Sequence, residues 1–165
     1  MKKFLLMFLL TAGSLTVTAQ ETLVWHKSVS EAMKVSKKSK KPLLMFFTGS
    51  DWCGWCIRLQ KEVLKTPEFA TWAEKNVVLV ELDFPRRSAQ TPEEKQQNAE
   101  LAQFFKVQGY PTVWIADAEK NKEGKISFKP RGSTGYVAGG PAPWLESANN
   151  IMANKMTDKK SDKKK

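Results

Sequence analysis

Cysteine and histidine are scarce in this chain, with two Cys and one His in 165 residues. Two thiols cannot build a disulfide scaffold. A structural zinc site wants four ligands, commonly two Cys pairs or a Cys pair with a His pair, and here one pair stands with His26 alone. Nine Gly and eight Pro are too few for collagen. No apolar run reaches the ~20 residues of a spanning helix, which excludes a polytopic membrane protein. Acids are outnumbered 17 to 27 by Lys and Arg, for a net charge of +10. Half of that excess sits at the ends: Lys2 and Lys3 with no acid in residues 1–19, and five Lys with two Asp in residues 157–165. A nucleic-acid-binding face is therefore not expected. What is present, 41% hydrophobic, 27% charged and 10% aromatic residues, suits one domain with a real core.

Residues 1–19 combine a cationic start, the stretch Phe4-Leu5-Leu6-Met7-Phe8-Leu9-Leu10 and a small-residue site at Val17-Thr18-Ala19. This is the pattern of a secretory signal peptide. Thr11, Gly13 and Ser14 break the run too early for an anchor, and no Cys near the cleavage point could carry a lipid. The mature chain is expected to start near Gln20, periplasmic or secreted, without stable membrane insertion. Residues 157–165 read as a disordered Lys-rich tail.

The two cysteines, Cys53 and Cys56, form one C-x-x-C in a chain with an export signal. As a purely structural bridge the pair closes a loop of about four residues, for which chain entropy gives roughly 2 kcal/mol against nearly 5 for a hundred-residue loop. A redox role explains the pair better than a structural or metal role, and no metal or other cofactor is expected.

Around the pair, Ser28-Val29-Ser30-Glu31 has the form of a capping box opening a helix with Val29, Ala32, Met33 and Ser36 on one side, ended by Pro42. Leu43 to Phe47 is a continuous apolar run between Pro42 and Gly49, as in a parallel strand covered on both faces. Ile57, Gln60, Lys61 and Leu64 have helical spacing, which puts the cysteines at a helix start. Thr66-Pro67-Glu68 opens another helix, with Phe69 and Trp72 inward. Val77 to Phe84 reads as a second buried strand, and Thr91-Pro92-Glu93-Glu94 as a cap for a helix holding Ala99, Leu101, Ala102 and Phe105. Pro111 to Ile115 and Lys125 to Phe128 form a hairpin, and a last helix runs from about Pro143 to Met152. The order predicts a three-layer α/β/α sandwich with a central mixed sheet.

Lys41-Pro42, Phe46-Phe47, Trp52-Cys53-Gly54-Trp55-Cys56, the Val77 to Asp83 strand, Gly109-Tyr110-Pro111-Thr112 and Gly135-Tyr136 together resemble the thioredoxin superfamily, in particular exported thioredoxin-like proteins with an Asp-Trp-Cys-Gly-Trp-Cys active site. The resemblance spans roughly residues 22–152, within an expected domain of 20–156. It implies a thiol–disulfide oxidoreductase in which Cys53 is the exposed nucleophile and Cys56 the resolving thiol. A helix N-terminus favours a thiolate, and thioredoxin's own cysteine lies near 7 against roughly 8.5 for a free thiol. Pro111 matches the cis-proline that exposes the Tyr110 backbone to a substrate peptide. Trp52, Gly54 and Trp55 complete the expected substrate-binding set, with Trp52 and Trp55 as an apolar rim. The implied partners are proteins bearing thiols or disulfides, and a membrane-linked thiol donor to recharge a reductase.

Two departures bear on mechanism. The superfamily's buried acid, six residues before the first cysteine, is Phe47 here. Glu81, inside an apolar strand, is a candidate replacement for proton transfer; the other reading is a strand-end carboxylate reaching solvent. Trp55 stands where thioredoxin has Pro, and the residues between the cysteines help set redox poise, so reductase or isomerase is the reading, with dithiol oxidase or a non-catalytic thioredoxin-fold binding module (metal carrier or client-holding) left open. His26 reads as a surface or packing residue, Trp72, Trp114 and Trp144 as core, Gly139-Gly140-Pro141 as a turn, and Pro85 to Gln90, with Arg86-Arg87, as a lengthened connection that is read first as a solvated loop, with contact to a partner as the other reading.

Overall fold

The computed structural model describes residues 23–120 and 126–154. The expected signal peptide, the Lys-rich tail and the tip of the hairpin lie outside the described residues. The elements are β1 (Trp25–His26), α1 (Val29–Ser39), β2 (Leu43–Thr48), α2 (Gly54–Leu59) running into a π-helical turn (Gln60–Leu64), α3 (Pro67–Asn76), β3 (Val78–Asp83), α4 (Pro92–Phe104), β4 (Thr112–Lys120), β5 (Ile126–Thr134) and α5 (Pro141–Ala153).

The sheet order is β1-β3-β2-β4-β5. β1, β3 and β2 run parallel, and β4 and β5 continue antiparallel. All six residues of β2 are buried, because it is central and covered on both faces, as its unbroken apolar run requires. Burying each of its five apolar side chains contributes roughly 1.5–3 kcal/mol. Alternation along β2 divides the core in two. Leu44 and Phe46 pack with Leu59, Val63, Phe69, Trp144 and both cysteines. Leu43, Met45 and Phe47 pack with Val29, Ala32 and Met33 of α1, with Leu101 of α4 and with Phe105 at its C-cap. The result is the expected three-layer sandwich, with α1 and α4 on one face and α2, α3 and α5 on the other.

Local signals account for most boundaries. Thr66 caps α3 by accepting the Phe69 N–H, and Thr91 and Glu94 close a full capping box on α4. Ser28 makes only half of the expected box, accepting the Glu31 N–H at 3.4 Å, while the Val29 N–H is taken by Gln97 Oε1 of α4 at 2.9 Å. The helix after the cysteines forms as its spacing predicts, and the structure decides which of its faces is buried. Ile57 is 51% exposed, and Cys56, Leu59, Val63 and Leu64 point inward. The π turn, closed by the Lys65 N–H on Gln60 O, puts one more residue into its last turn than an α-helix holds, a device that a 3.6-residue period cannot show. Trp144 is fully buried, whereas Trp72 and Trp114 are half-buried at the edges of the two clusters. Trp72 stays at the edge because its Nε1–H donates to Asn149 on α5.

Candidate active site

β2 ends at Thr48 and the chain turns at once. Gly49 O accepts the Trp52 and Cys53 N–H groups at 3.3 and 2.8 Å, which delivers Cys53 to the N-cap of α2 with an extended backbone (φ −86°, ψ 98°). Cys53 and Cys56 form a disulfide across a Cα–Cα distance of 5.2 Å, within the range a bridge tolerates without backbone movement. The Cys56 N–H donates to Cys53 Sγ at 3.2 Å. Cys53 was expected to be exposed and is not: it is 6% exposed and Cys56 0%. In the bridged state Sγ folds back over the helix start toward Cys56, leaving only an edge of Cys53 accessible.

The Tyr110–Pro111 bond is cis, as the resemblance implies. Pro111 is half-buried at the entry to β4, whose Val113 shares the cysteines' cluster. Gly54 is exposed, with open space where a side chain would sit.

The rim around the bridge is not simply apolar. On one side the half-buried Trp52 donates its Nε1–H to Phe84 O at 2.7 Å, meets Tyr110 edge-on at 5.8 Å and carries the Arg86 guanidinium 3.9 Å above its ring. On the other side Trp55, 56% exposed, leans on Tyr136 at 5.2 Å, and Arg58 lies over both rings at 5.5 and 5.3 Å. Arg58 also pairs with Glu62 at 2.7 Å, and Tyr136 OH donates to the same carboxylate at 2.5 Å. The Tyr136 hydrogen bond, and then Arg58, hold the Glu62 carboxyl below its ordinary range.

Asp51 completes the arrangement. Its carboxylate accepts three successive backbone N–H groups, from Arg86 at 2.9 Å, Arg87 at 2.7 Å and Ser88 at 3.1 Å. Chiefly through the Arg86 N–H, its pKa is lowered. The connection read as a solvated loop is thus tied to the cysteine turn. Arg58 and Glu62 were not singled out from the sequence, and Asp51 and Arg86, both noted there, were given no contact with each other or with Trp52. The spacing of Arg58 and Glu62 is a helical i,i+4 signal that could have been used, but nothing local links Asp51 to residues 86–88.

Glu81 lies on β3, in register with Phe46. It is half-buried, lines a cavity of about 300 Å³ with Lys27, Ser50, Asp83 and Gln90, and hydrogen-bonds to neither cysteine. Burial raises its pKa, Asp83 adds to the rise, and Lys27 and Lys65 oppose it. Phe47, at the place of the absent acid, is fully buried against Phe105 in the other cluster. Thr48 Oγ1, in the last position of β2, is buried with no hydrogen-bond partner. His26 is half-buried in β1, and Gly139-Gly140-Pro141 is the turn into α5.

Among the described residues no helix is long and apolar enough to cross a membrane. Residues 29–129 match the thioredoxin-like domain family. The chain is 41% identical over 120 residues to the disulfide bond reductase DsbH of Chlamydia pneumoniae, covering 73% of this chain and 72% of that protein. It is 35% identical over 102 residues to the thioredoxin-related protein DsbJ of Chlamydia pneumoniae, covering 62% of this chain and 29% of the relative's length. A solved structure of a DsbH oxidoreductase superposes with a TM-score of 0.69 at 37% identity, over 79% of this chain and 85% of that one.

Proposed function

The chain belongs to the thioredoxin-like family and is a thiol–disulfide oxidoreductase of the Dsb type, and from that premise we propose that it works as a reductase or isomerase of protein disulfides, with Cys53 the attacking and Cys56 the resolving sulfur. The observation that carries this reading is the bridge itself. It lies across a helix N-cap, and of its two residues only Cys53 keeps any surface. The reducing direction is favoured by the likeness to a relative named as a disulfide bond reductase.

In the reduced state the Cys56 N–H that faces Cys53 Sγ is placed to donate to a thiolate, and the other free N–H groups of the helix start add to it. The Cys53 thiolate attacks one sulfur of a client disulfide. A Cys53–client bond forms, the client S–S bond breaks, and the departing client thiolate takes a proton from solvent. The Cys56 thiol then loses its proton and attacks Cys53 Sγ. This forms the observed bridge and releases the second client thiolate, which is protonated in turn. Two electrons and two protons pass to the client. Tyr110 at the cis bond offers backbone for an extended client segment, with Trp52, Gly54 and Trp55 flanking the sulfurs. Glu81 has a raised pKa but makes no hydrogen bond to either sulfur among the described residues, and the proton of Cys56 passes to solvent.

Each turnover ends with the bridge closed, so a thiol donor must reopen it. With residues 1–19 acting as an export signal, that donor is membrane-linked and the site of action is periplasmic or extracellular. Insulin-disulfide reduction by the reduced protein should be lost in Cys53→Ser, and Cys56→Ser should accumulate the mixed disulfide with clients. A Cys53–Cys56 potential below about −220 mV fits reduction, whereas one near −120 mV would make the protein a dithiol oxidase.

A further inference from the structure

The charges at the active-site rim are unequally matched. Glu62 is occupied by Arg58 and Tyr136, and Asp51 by the backbone of residues 86–88. Arg86 is exposed and makes no ion pair among the described residues. Its guanidinium carbon lies 3.9 Å from the ring centre of Trp52, the residue before the attacking sulfur. A cation–π contact engages the guanidinium's charge and not its N–H donors, and among the described residues those donors make no hydrogen bond, so they are available to a carboxylate.

We propose that Arg86 is a specificity residue which recognises an acidic side chain beside the client's reactive cysteine. The inference rests on the reductase reading and narrows its substrate class to disulfides flanked by Asp or Glu. A client segment lying along Tyr110 passes Trp52, since the two rings are in contact, and its side chain next to cysteine then comes within reach of Arg86. Asp51 is the positioning residue. By holding three consecutive N–H groups it fixes the Arg86 backbone before a client arrives, so little ordering is left to oppose binding. A charge-assisted hydrogen bond formed as the client shields the pair corresponds to a preference of roughly tenfold.

The test uses the pre-reduced full chain and two synthetic peptide disulfides that differ only in Asp or Asn beside one cysteine. Single-turnover rates are followed by tryptophan fluorescence, each divided by that peptide's rate with dithiothreitol to remove its intrinsic reactivity. The Asp peptide should react about tenfold faster at low salt, and the ratio should shrink in 0.5 M salt. In Arg86→Gln the ratio should fall toward one, with Arg86→Lys in between. Asp51→Asn should lower the ratio with the Arg86 side chain intact. Exchange with both peptides but no preference, or a preference unchanged in Arg86→Gln, would overturn the proposal alone. No exchange with either peptide would overturn the reductase reading and this inference with it.

Discussion

Gly49 is where the architecture and the redox site meet, and replacing it with Ala makes the link measurable. A Cβ at this position would stand 2.4 Å from Trp52 Cε2 and 2.6 Å from Nε1, closer than carbon atoms tolerate, so the indole must leave its seat. Three interactions leave with it: the Nε1–H bond to Phe84 O, the Arg86 stack and the edge contact with Tyr110. They contribute about 0.5–1.5, 0.5–1 and 0.5–1.5 kcal/mol respectively. Gly49→Ala should therefore destabilise the oxidised chain by about 2 kcal/mol in urea unfolding, and lower Tm by roughly 6–8 °C for a domain of this size. The decisive measurement is the same substitution in a Trp52→Ala background. There the three nearest atoms the Cβ would meet are gone and the loss should shrink below about 0.5 kcal/mol, giving a coupling close to the whole effect. An equal loss in both backgrounds would show that the backbone at Gly49, not the indole, demands glycine, and the argument would fail.

Thr48→Val keeps the shape of the side chain and removes the unpartnered buried hydroxyl, so it should stabilise the protein by about 1 kcal/mol; a measured destabilisation would mean the hydroxyl has a partner. Burial holds Glu81 above its ordinary value of 4.5, so the folded state binds its proton more tightly than the unfolded chain. Stability should then fall as pH rises from the ordinary glutamate range through the folded value, and stay level above it. Glu81→Gln should abolish that slope and be the more stable protein at neutral pH, and a slope persisting in the variant would contradict the assignment. Slower resolution by Cys56 in Glu81→Gln would give this carboxylate the proton role its sequence context suggests. Asp51, held below its ordinary 3.8 chiefly by the Arg86 N–H, contributes its clamp above that value and loses it as pH falls through the lower folded one. The amide resonances of Arg86, Arg87 and Ser88 should therefore titrate together, with a midpoint below 3.8, and their failure to move would break the link.

Much of this molecule is written in local pattern. The unbroken apolar run of β2, the Thr66 and Thr91 caps and the Cys53–Cys56 spacing each depend on residues within one turn or one strand of each other, so the sequence by itself determined the layered fold and the position of the thiols. Even the cis Tyr110–Pro111 bond was available, through the likeness of Gly109-Tyr110-Pro111-Thr112 to a known family. Where local period and real geometry part, the reading slipped. The π turn after Leu59 turns both Val63 and Leu64 inward, β1 is only two residues long, and the hairpin strands extend well past the segments their patterns marked.

The rim of the site was decided by tertiary structure alone. Asp51 and the N–H groups of residues 86–88, Trp52 and Arg86, and Glu62 and Tyr136 are separated in the chain by between 34 and 74 residues, and each pairing exists because parallel strands β2 and β3 bring their C-terminal ends together or because the connection from β5 to α5 carries Tyr136 back to the π turn. The burial of Cys53 joins the two levels. Chain spacing lets the sulfurs meet over the helix start, and the sheet then seats them in an apolar cluster against which Trp52, Tyr110 and Tyr136 pack.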